Sequence, residues 1–266
     1  MKVGFIGVGN MAQAIISGLV KEMPAEDILI FNRTKEKAED FARKTGVKVL
    51  DASEDLVLQA DIVVVAVKPY VFELILPDLK SAFESKRPLM VSIAAGLSLE
   101  QLAGFVGEKM RIVRVMPNVN ATIGESMSGV CGNEFVSAED YQNVEEIFAA
   151  VGSTARIPEK DFSTFAALAG SSPAFIYIFI DSLARAGVKA GLAKKQALEI
   201  AAQAVLGSAK MVLESETHPY ELVDQVCSPG GTTIAGVSSL MDDAFAASVM
   251  HSVEATMKRE AELSDK

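Results

Sequence analysis

The first half of the chain alternates between short apolar runs and longer stretches in which apolar residues recur with helical spacing. Ile62-Val63-Val64-Val65-Ala66-Val67 is apolar on both faces, which is typical of a central strand in a parallel sheet. The predicted strands are 1–6, 27–31, 47–50, 62–67, 89–93 and 111–116, and the predicted helices are 11–21, 35–45, 53–59, 71–81 and 99–104. This alternation predicts an α/β fold with a doubly wound parallel sheet.

The pattern changes near residue 157, at Ile157-Pro158-Glu159-Lys160. Strand patterns precede this point, and only helical periodicity follows it. The predicted helices of the second half are 162–169, 174–186, 194–214, 219–226 and 234–262. The sequence therefore predicts two domains, a sheet domain over 1–157 and an all-α domain over 158–266.

One predicted helix of the second half is apolar on nearly every side, at Phe175-Ile176-Tyr177-Ile178-Phe179-Ile180. In a protein surrounded by water such a helix must be covered. One small helical domain seldom covers such a helix alone, so the pattern favours a homo-oligomer built on dimers of interleaved C-terminal helices. Burial of the helix within its own chain is the alternative.

A glycine-rich turn follows the first predicted strand. Gly7-Val8-Gly9-Asn10-Met11-Ala12 has the spacing Gly-x-Gly-x-x-Ala of the dinucleotide fingerprint, between a strand and a helix. Gly7 permits the tight turn, Gly9 lets a pyrophosphate approach the backbone, and Ala12 lets helix and strand pack closely. Asn10 and Met11 are expected beside the pyrophosphate, where free helix N–H groups favour an anion. The first domain is therefore predicted to be a Rossmann-type dinucleotide-binding domain.

The residues after the second predicted strand indicate which dinucleotide is bound. NAD-binding folds usually place an acid there to hold the ribose hydroxyls, and this chain has Asn32-Arg33-Thr34-Lys35 instead. Arg33 can pair with a 2′-phosphate, and Thr34 and Lys35 can add a hydroxyl and a charge. The pattern favours NADP(H), and leaves NAD(H) use, or a merely solvated loop, as alternatives.

Composition narrows the function classes further. The formal net charge of −10 argues against a general nucleic-acid surface. No uninterrupted apolar run approaches the roughly 20 residues that span a bilayer, and no signal peptide is expected. Two cysteines, Cys131 and Cys227, and two histidines, His218 and His251, give no metal-binding spacing. We therefore expect a cytoplasmic protein that acts on a small molecule, without a metal, membrane or nucleic-acid partner.

Several further motifs converge on one family. They are Val67-Lys68-Pro69, Arg114-Val115-Met116-Pro117-Asn118, Ala169-Gly170-Ser171-Ser172-Pro173-Ala174-Phe175 and Asp224-Gln225-Val226-Cys227-Ser228-Pro229-Gly230-Gly231-Thr232-Thr233-Ile234-Ala235-Gly236. Together they closely resemble pyrroline-5-carboxylate reductases over nearly the whole chain, and the Ser-Pro-Gly-Gly-Thr-Thr run is the most specific of them. Ser172 and Phe175 stand where the family often has glycine and tyrosine, and no proline follows Asn118 as it often does there.

The resemblance implies reduction of the cyclic imine Δ1-pyrroline-5-carboxylate to L-proline by NAD(P)H, the last step of proline biosynthesis. It implies that the backbone of Gly231, Thr232 and Thr233 holds the substrate carboxylate, with help from Ser228. The Thr233 hydroxyl matches the family's contact to the ring nitrogen. Glu216 matches a family acid near that nitrogen, which could stabilise an iminium or relay a proton through water, and a solvated position at a helix end is the alternative for this residue.

The strand ends of the first domain supply the remaining expected contacts, because ligands bind at that edge of a parallel sheet. Val67, Lys68 and Pro69 are expected to contact the cofactor ribose or nicotinamide. The nicotinamide pocket is expected at Ala94-Ala95-Gly96, and the substrate side at Met116-Pro117-Asn118. Packing roles are the alternative for each of these residues.

Two other functions fit parts of the sequence. A 3-hydroxyacid dehydrogenase also joins a Rossmann domain to a helical one. That family uses a lysine on the first long helix of the second domain as the base that removes the alcohol proton. No lysine occurs between Gly170 and Val188. A non-enzymatic NADP sensor would keep the glycine fingerprint, but would have no reason to keep the loop around Gly230-Gly231.

Overall fold

The computed structural model describes residues 1–264, so the last two residues of the predicted second domain lie outside the described part. The chain divides into two compact units. The sheet unit contains Met1–Gly170 together with the end of the chain from Glu260, and the helical unit contains Ser171–Arg259. The predicted domain boundary at residue 157 precedes this division, because residues 158–170 belong to the compact sheet unit.

An eight-stranded sheet forms the centre of the sheet unit, with strand order β3-β2-β1-β4-β5-β6-β7-β8. The strands are β1 (Val3–Ile6), β2 (Ile28–Phe31), β3 (Lys48–Val49), β4 (Ile62–Val65), β5 (Leu89–Ser92), β6 (Ile112–Met116), β7 (Ser126–Gly132) and β8 (Gly152–Arg156). In the centre, Val3 of β1 pairs with Ile28 of β2 and with Ile62 of β4. All six predicted strands are confirmed, with ends shifted by a few residues.

The sheet is not wholly parallel, which corrects the sequence-based expectation. β7 runs antiparallel to β6, with Val113 opposite Gly132, and β8 pairs parallel to β7. The strand pattern of β7 is weak because its sequence, Ser-Met-Ser-Gly-Val-Cys-Gly, contains few branched apolar residues. Neither β7, β8 nor the helix between them was predicted from the sequence.

Helices cover both faces of the sheet, as predicted. They are α1 (Asn10–Leu19), α2 (Lys35–Thr45), α3 (Ser53–Gln59), α4 (Pro69–Lys86), α5 (Leu99–Val106), α6 (Ala138–Ala149) and α7 (Phe162–Phe165), and a π-helix (Ala166–Ser171) follows α7. One core layer contains Ile15 and Phe148, and the other contains Phe72 and Phe83, all fully buried. Burying large side chains on both faces stabilises the sheet, so its strand ends are fixed points for the loops that follow them.

The position of α1 depends on a glycine. A Cβ on Gly18 would lie 2.4 Å from the carbonyl oxygen of Ala150. Only a residue without a side chain therefore lets α1 pack this closely on the segment before β8. This close contact fixes the axis of α1, whose N-terminus carries the glycine fingerprint.

The helical unit contains α8 (Ser172–Lys189), α9 (Lys194–Glu214), α10 (Pro219–Val226), α11 (Thr232–Asp242) and most of α12 (Phe245–Ser264). The bounds of α9 and α10 are as predicted. The single predicted helix 234–262 was wrong, because it is broken between α11 and α12. Ala244 adopts a left-handed φ of 55° at the break, a conformation that a helix cannot continue through.

Many large apolar side chains of the helical unit are exposed in the single chain. Ile178 of α8 is 67% exposed, and Leu213 of α9 is 85% exposed. The helical stretch Glu159–Lys189 is long and apolar enough to cross a membrane by length and composition alone, a test that core helices of soluble proteins also pass. These faces carry more exposed apolar surface than a solvated helix needs.

Candidate active site

The carboxyl edge of the parallel strands brings together the predicted residues of the sheet unit. The glycine loop follows β1, Asn32 follows β2, Val67 follows β4, Ala94 follows β5 and Pro117 follows β6. Strand order reverses between β1 and β4, since β2 and β3 lie on one side and β5 and β6 on the other. Open α/β sheets bind ligands at such a reversal, so the topology creates a crevice at the glycine loop.

The glycine loop is tight where it meets the sheet and open where it faces outward. Gly7 has a φ of 97°, and a Cβ there would lie 2.8 Å from the carbonyl oxygen of Ala66. A Cβ on Gly9 would meet no atom within 4 Å. Gly7 is therefore needed by the fold, whereas Gly9 keeps free the space through which a ligand could approach the backbone.

The N-terminus of α1 has the features of an anion site. Gly9 is the N-cap residue, no side chain caps the helix, and its first turn contains no acid. By contrast, serine caps with reciprocal capping boxes begin α5 and α6. The first N–H groups of α1, from Asn10 onward, have no helical partner, and the helix dipole favours negative charge there. Ala12 is buried and packs against the core, as the fingerprint predicts.

Asn32 connects the glycine loop to the loop after β2. Its Oδ1 accepts a hydrogen bond from the Val8 N–H at 3.0 Å, and its Nδ2 donates to the Thr34 carbonyl at 2.9 Å. The side chain thus fixes the two loops that would hold the pyrophosphate and the adenosine ribose. This contact was not predictable from the sequence, because Val8 and Asn32 lie in loops that follow two different strands.

A cavity of about 320 Å³ lies beside these loops, and Asn32, Arg33 and Thr34 line it. Lys37, Tyr70 and Leu74 also line this cavity, and none of the three was predicted from the sequence. Lys37 is the third residue of α2, so it lies at the helix end next to the loop, which its spacing could have indicated. The cavity combines two cations with apolar walls, which suits a phosphorylated adenosine.

Lys35, in contrast, is directed to a carboxylate. Its Nζ lies 2.5 Å from Oδ1 of Asp51, and this hydrogen bond raises the pKa of Lys35. The charge expected from Lys35 is therefore compensated by Asp51. In this loop the cations that line the cavity are Arg33 and Lys37.

The residues after β4 and β5 also lie on the crevice edge. Lys68 is the N-cap residue of α4 and is exposed, and Pro69 is its first residue. Val67 packs over Gly7, since its Cγ1 lies 2.7 Å from the position of a Cβ there. Gly96 has a φ of 78° and open space around it, next to the half-buried Ala94. Ala95 completes this small-residue segment, whose exposed backbone suits a flat ring.

At the end of β6, Met116 and Pro117 are half-buried and Asn118 is buried. Met116 shares a small cavity with Ala94, Ala95 and Gly96. The structure therefore places the residues predicted for the nicotinamide next to one residue predicted for the substrate. The Asn118 side chain is hydrogen-bonded to the backbone of Ala169 and Asn120.

In the helical unit, the predicted anion loop has the same construction as the glycine loop. Gly231 is the N-cap of α11, no side chain caps this helix, and its first turn contains no acid. Its φ and ψ of −79° and 174° nearly equal the −77° and 176° of Gly9. Gly230 has a φ of 69°, and a Cβ on Gly231 would lie 2.3 Å from Oγ of Ser228. The loop conformation therefore favours glycine at 230, whereas a side chain at 231 would have to displace the Ser228 hydroxyl.

This geometry places Thr232 and Thr233 in the first turn of α11, where their N–H groups have no helical partner. The side chains of Ser228, Thr232 and Thr233 are exposed in the single chain. Glu216 is also exposed, and it lies two residues before His218, which caps α10 by accepting the Tyr220 N–H. The helical unit thus presents a helix end of the kind that suits an anion, with three hydroxyls and one carboxylate near it in sequence.

The described residues offer little support for a reactive thiol or a metal site. Burial raises the pKa of the Cys131 thiol, which keeps it protonated and unreactive. Within residues 1–264, no group of three or more histidine, cysteine or acidic side chains is arranged to hold a metal ion. A larger cavity of about 1170 Å³, between α5 and the ends of β7 and β8, is lined by none of the predicted site residues.

Known proteins share both units of this chain. Residues 159–263 match the family described as pyrroline-5-carboxylate reductase dimerisation, and residues 2–96 match the family described as NADP oxidoreductase, coenzyme F420-dependent. The pyrroline-5-carboxylate reductase of Arabidopsis thaliana is 42% identical over 265 residues, which cover 99% of this chain and 95% of the relative.

Solved structures give the same result. The 1-pyrroline-5-carboxylate reductase of Streptococcus pyogenes is 43% identical with a TM-score of 0.85, and 98% of each chain is covered. A Plasmodium falciparum pyrroline carboxylate reductase with NADP bound is 33% identical with a TM-score of 0.86, covering 99% of this chain and 98% of its own. From these identities, which extend over both units, the chain belongs to the pyrroline-5-carboxylate reductase family of oxidoreductases.

Proposed function

We propose that this chain reduces Δ1-pyrroline-5-carboxylate to L-proline with NADPH. The observation that carries the proposal is the pair of uncapped, glycine-started helices, one in each unit. A dinucleotide pyrophosphate and a substrate carboxylate are both anions, and each needs N–H donors in a space free of side chains. Among the described helices, α1 and α11 combine a glycine N-cap with a first turn that contains no acid.

The reaction forms one C–H bond and one N–H bond across the C=N double bond of the substrate. NADPH, when bound, would supply the hydride to the imine carbon, and the ring nitrogen would take a proton from water or an acid. The protein must orient the imine, hold its carboxylate and favour the protonated nitrogen. None of these tasks needs a strong base, which fits a chain with two histidines.

The roles of the helical unit follow from its geometry and from the family. The N–H groups of Thr232 and Thr233 hold the carboxylate, and Ser228 adds its hydroxyl. The Gly231 N–H, which the family resemblance also assigns to the carboxylate, donates instead to the Ser228 carbonyl at 3.0 Å. The Thr233 hydroxyl contacts the ring nitrogen. Glu216 favours the positively charged iminium through its carboxylate. Because Thr233 offers both a backbone donor and a hydroxyl, it can contact two parts of one small substrate.

The sheet unit holds the cofactor in this proposal. Asn10 and Met11 lie beside the pyrophosphate, and Val67, Lys68 and Pro69 contact the ribose. Ala94, Ala95 and Gly96 face the nicotinamide, and Met116 and Pro117 face the substrate. The order of these segments along the sheet edge, from β2 to β6, matches the order of groups along an extended dinucleotide.

Cofactor preference is proposed to be for NADP(H), with NAD(H) as the weaker cofactor. Arg33 and Lys37 line the cavity of about 320 Å³ beside the glycine loop, and Asn32 rather than an acid follows β2. A 2′-phosphate would gain charge-assisted hydrogen bonds there, whereas NAD(H) would not. The Plasmodium falciparum relative with NADP bound supports this preference.

A second function of another class, 3-hydroxyacid dehydrogenation, is less well supported. It requires a base to remove the alcohol proton. The first long helix of the helical unit, α8, contains a lysine at its last residue, Lys189, and none earlier. An NADP sensor without activity would leave the anion loop of α11 without a role.

The chain is proposed to work as a cytoplasmic homo-oligomer built on dimers of the helical unit. The exposed apolar faces of α8 and α9 need a cover, and the match of residues 159–263 to a dimerisation family supports a second copy as that cover. Free rather than disulfide-bonded cysteines fit a reducing compartment.

The direct test measures NADPH oxidation with pyrroline-5-carboxylate and detects the proline formed. Thr233→Ala removes the hydroxyl and keeps the backbone N–H. It should lower kcat/KM for the imine by about 10- to 100-fold, or roughly 1.4–2.8 kcal/mol of transition-state stabilisation, with nearly unchanged NADPH affinity. Thr256→Ala in α12 is the matched control, because the Thr256 hydroxyl bonds only its own helix, at Ser252.

A wild-type protein that oxidises NADPH without forming proline would contradict the proposed reaction. Normal imine reduction by Thr233→Ala would remove the hydroxyl from the mechanism. Loss of NADPH binding alone would assign the α11 loop to the cofactor instead.

Cofactor preference is tested by Arg33→Ala. It should weaken NADPH binding by about 1–3 kcal/mol more than NADH binding, as measured by fluorescence titration, because a charge-assisted contact to the 2′-phosphate is lost. Lys35→Ala is the control, since the Lys35 charge is paired with Asp51, and it should affect the two cofactors alike. Equal losses for both cofactors in Arg33→Ala would exclude this role for Arg33.

Assembly is tested by light scattering at micromolar concentration, which should show a dimer or a larger oligomer. Ile178→Glu should increase the monomer fraction, because it places a charge on the apolar face of α8. Leu74→Glu is the matched control in the sheet unit, since Leu74 and Ile178 are both 67% exposed in the single chain. An active wild-type monomer would contradict the proposed assembly.

A further inference from the structure

Asn118 is buried just after β6, and both polar atoms of its side chain form hydrogen bonds within the sheet unit. It is 7% exposed. Its Nδ2 donates to the Ala169 carbonyl at 2.9 Å, and its Oδ1 accepts the Asn120 N–H at 3.0 Å. Its own N–H donates to Oγ of the buried Ser126 at 3.1 Å. A buried amide with this set of partners holds its neighbours in one arrangement.

The partner of Asn118 lies in an unusual backbone segment. Ala169 belongs to the π-helix Ala166–Ser171, which lies at the end of the sheet unit except for its last residue and directly precedes α8. Such π-segments are rare and are found frequently at functional sites. The Asn118 amide therefore fixes a backbone carbonyl in a segment whose own hydrogen bonding is irregular.

The same π-helix packs on the residue two positions before Asn118. A Cβ on Gly170 would lie 3.3 Å from Cε of Met116, so the absence of a side chain at Gly170 leaves the room that Met116 occupies. Phe165, just before the π-helix, packs its ring on Gly129 of β7. The segment Met116-Pro117-Asn118 is thus held at one end by a hydrogen bond and at the other by close packing, both to the π-helix.

We propose that Asn118 is a positioning residue that acts through the π-helix. Its hydrogen bond to Ala169, together with the contact between Gly170 and Met116, fixes where Met116 and Pro117 present their surfaces to the substrate. This inference rests on the proposed function, in which those two residues face the imine. The sequence predicted that Asn118 lies on the substrate side. In this inference the Asn118 side chain does not contact the substrate, and it affects substrate alignment indirectly.

The chain provides a matched control at the opposite end of β6. Nδ2 of Asn133 donates to the Met110 carbonyl at 2.8 Å, and its Oδ1 accepts the Ile112 N–H at 3.2 Å. This is the same pair of interactions that Asn118 makes, one donated to a carbonyl and one accepted from an N–H. Asn133 follows β7 and lies beside the start of β6, whereas the predicted substrate residues follow the end of β6.

The experiment compares Asn118→Asp with Asn133→Asp. Each change keeps the accepted bond and replaces the amide donor with an oxygen that repels the facing carbonyl. We expect Asn118→Asp to lower kcat/KM for pyrroline-5-carboxylate about tenfold, because misalignment by a fraction of an ångström slows a positioned reaction. KM for NADPH should stay within about twofold. Asn133→Asp should keep the wild-type kcat/KM for pyrroline-5-carboxylate and for NADPH.

Hydrogen exchange of the cofactor-free protein gives a second readout, independent of activity. Asn118→Asp should speed amide exchange in residues 166–171, and Asn133→Asp should not. Wild-type kcat/KM in Asn118→Asp, or an equal loss in both variants, would overturn the inference. Failure of the proposed function has a different result, which is a wild-type protein that does not reduce the imine.

Gly170→Ala tests the inference if Asn118→Asp does not fold. Its new methyl group breaks no hydrogen bond and pushes on the flexible end of Met116. It should lower kcat/KM for the imine several-fold and leave KM for NADPH unchanged. Wild-type kinetics in this variant would contradict the role given to the contact with Met116.

Discussion

The absence of a side chain at two helix N-termini is the constraint on which ligand binding in this protein depends. Gly9 and Gly231 begin α1 and α11 with nearly the same backbone angles, and in neither helix does a side chain cap the first turn. An uncapped helix start is normally a cost, because its N–H groups lack partners. In the proposed function this cost is offset when an anion binds, so the same feature that weakens the empty helix end would strengthen the complex.

The rest of the sheet unit holds one of these helix ends in place. Gly7 and Gly18 allow backbone contacts at both ends of α1 that any side chain would block. Asn32 then fixes the glycine loop to the loop after β2. Arg33 and Lys37 line one cavity although the chain as a whole carries a net charge of −10, and in the proposed function these local cations attract an anion because short-range contacts outweigh the screened field of distant charges.

Elements with a strong local pattern were predictable from the sequence. The continuous apolar run of β4 and the periodicity of α9 predicted their types, and the glycine spacing predicted the loop after β1. β7 was not predictable, because its glycines and serines weaken the strand pattern and its direction depends on pairing with β6. Three other features depend on contacts between residues distant in sequence, which a single sequence does not reveal. They are the π-helix, the ion pair between Lys35 and Asp51, and the hydrogen bonds of the Asn118 side chain.

The most direct test of this account is the affinity of Gly9→Ala for NADPH, measured with its unfolding midpoint in urea. A methyl at Gly9 would meet no atom within 4 Å, and its φ of −77° suits alanine, so the fold should keep its stability. The methyl occupies the approach to the free N–H groups, so NADPH and NADH should both bind about tenfold more weakly or worse. Gly104→Ala in α5 is the control, because its methyl would also meet no atom within 4 Å, and it should bind NADPH and NADH with wild-type affinity. Wild-type affinity in Gly9→Ala would contradict the account.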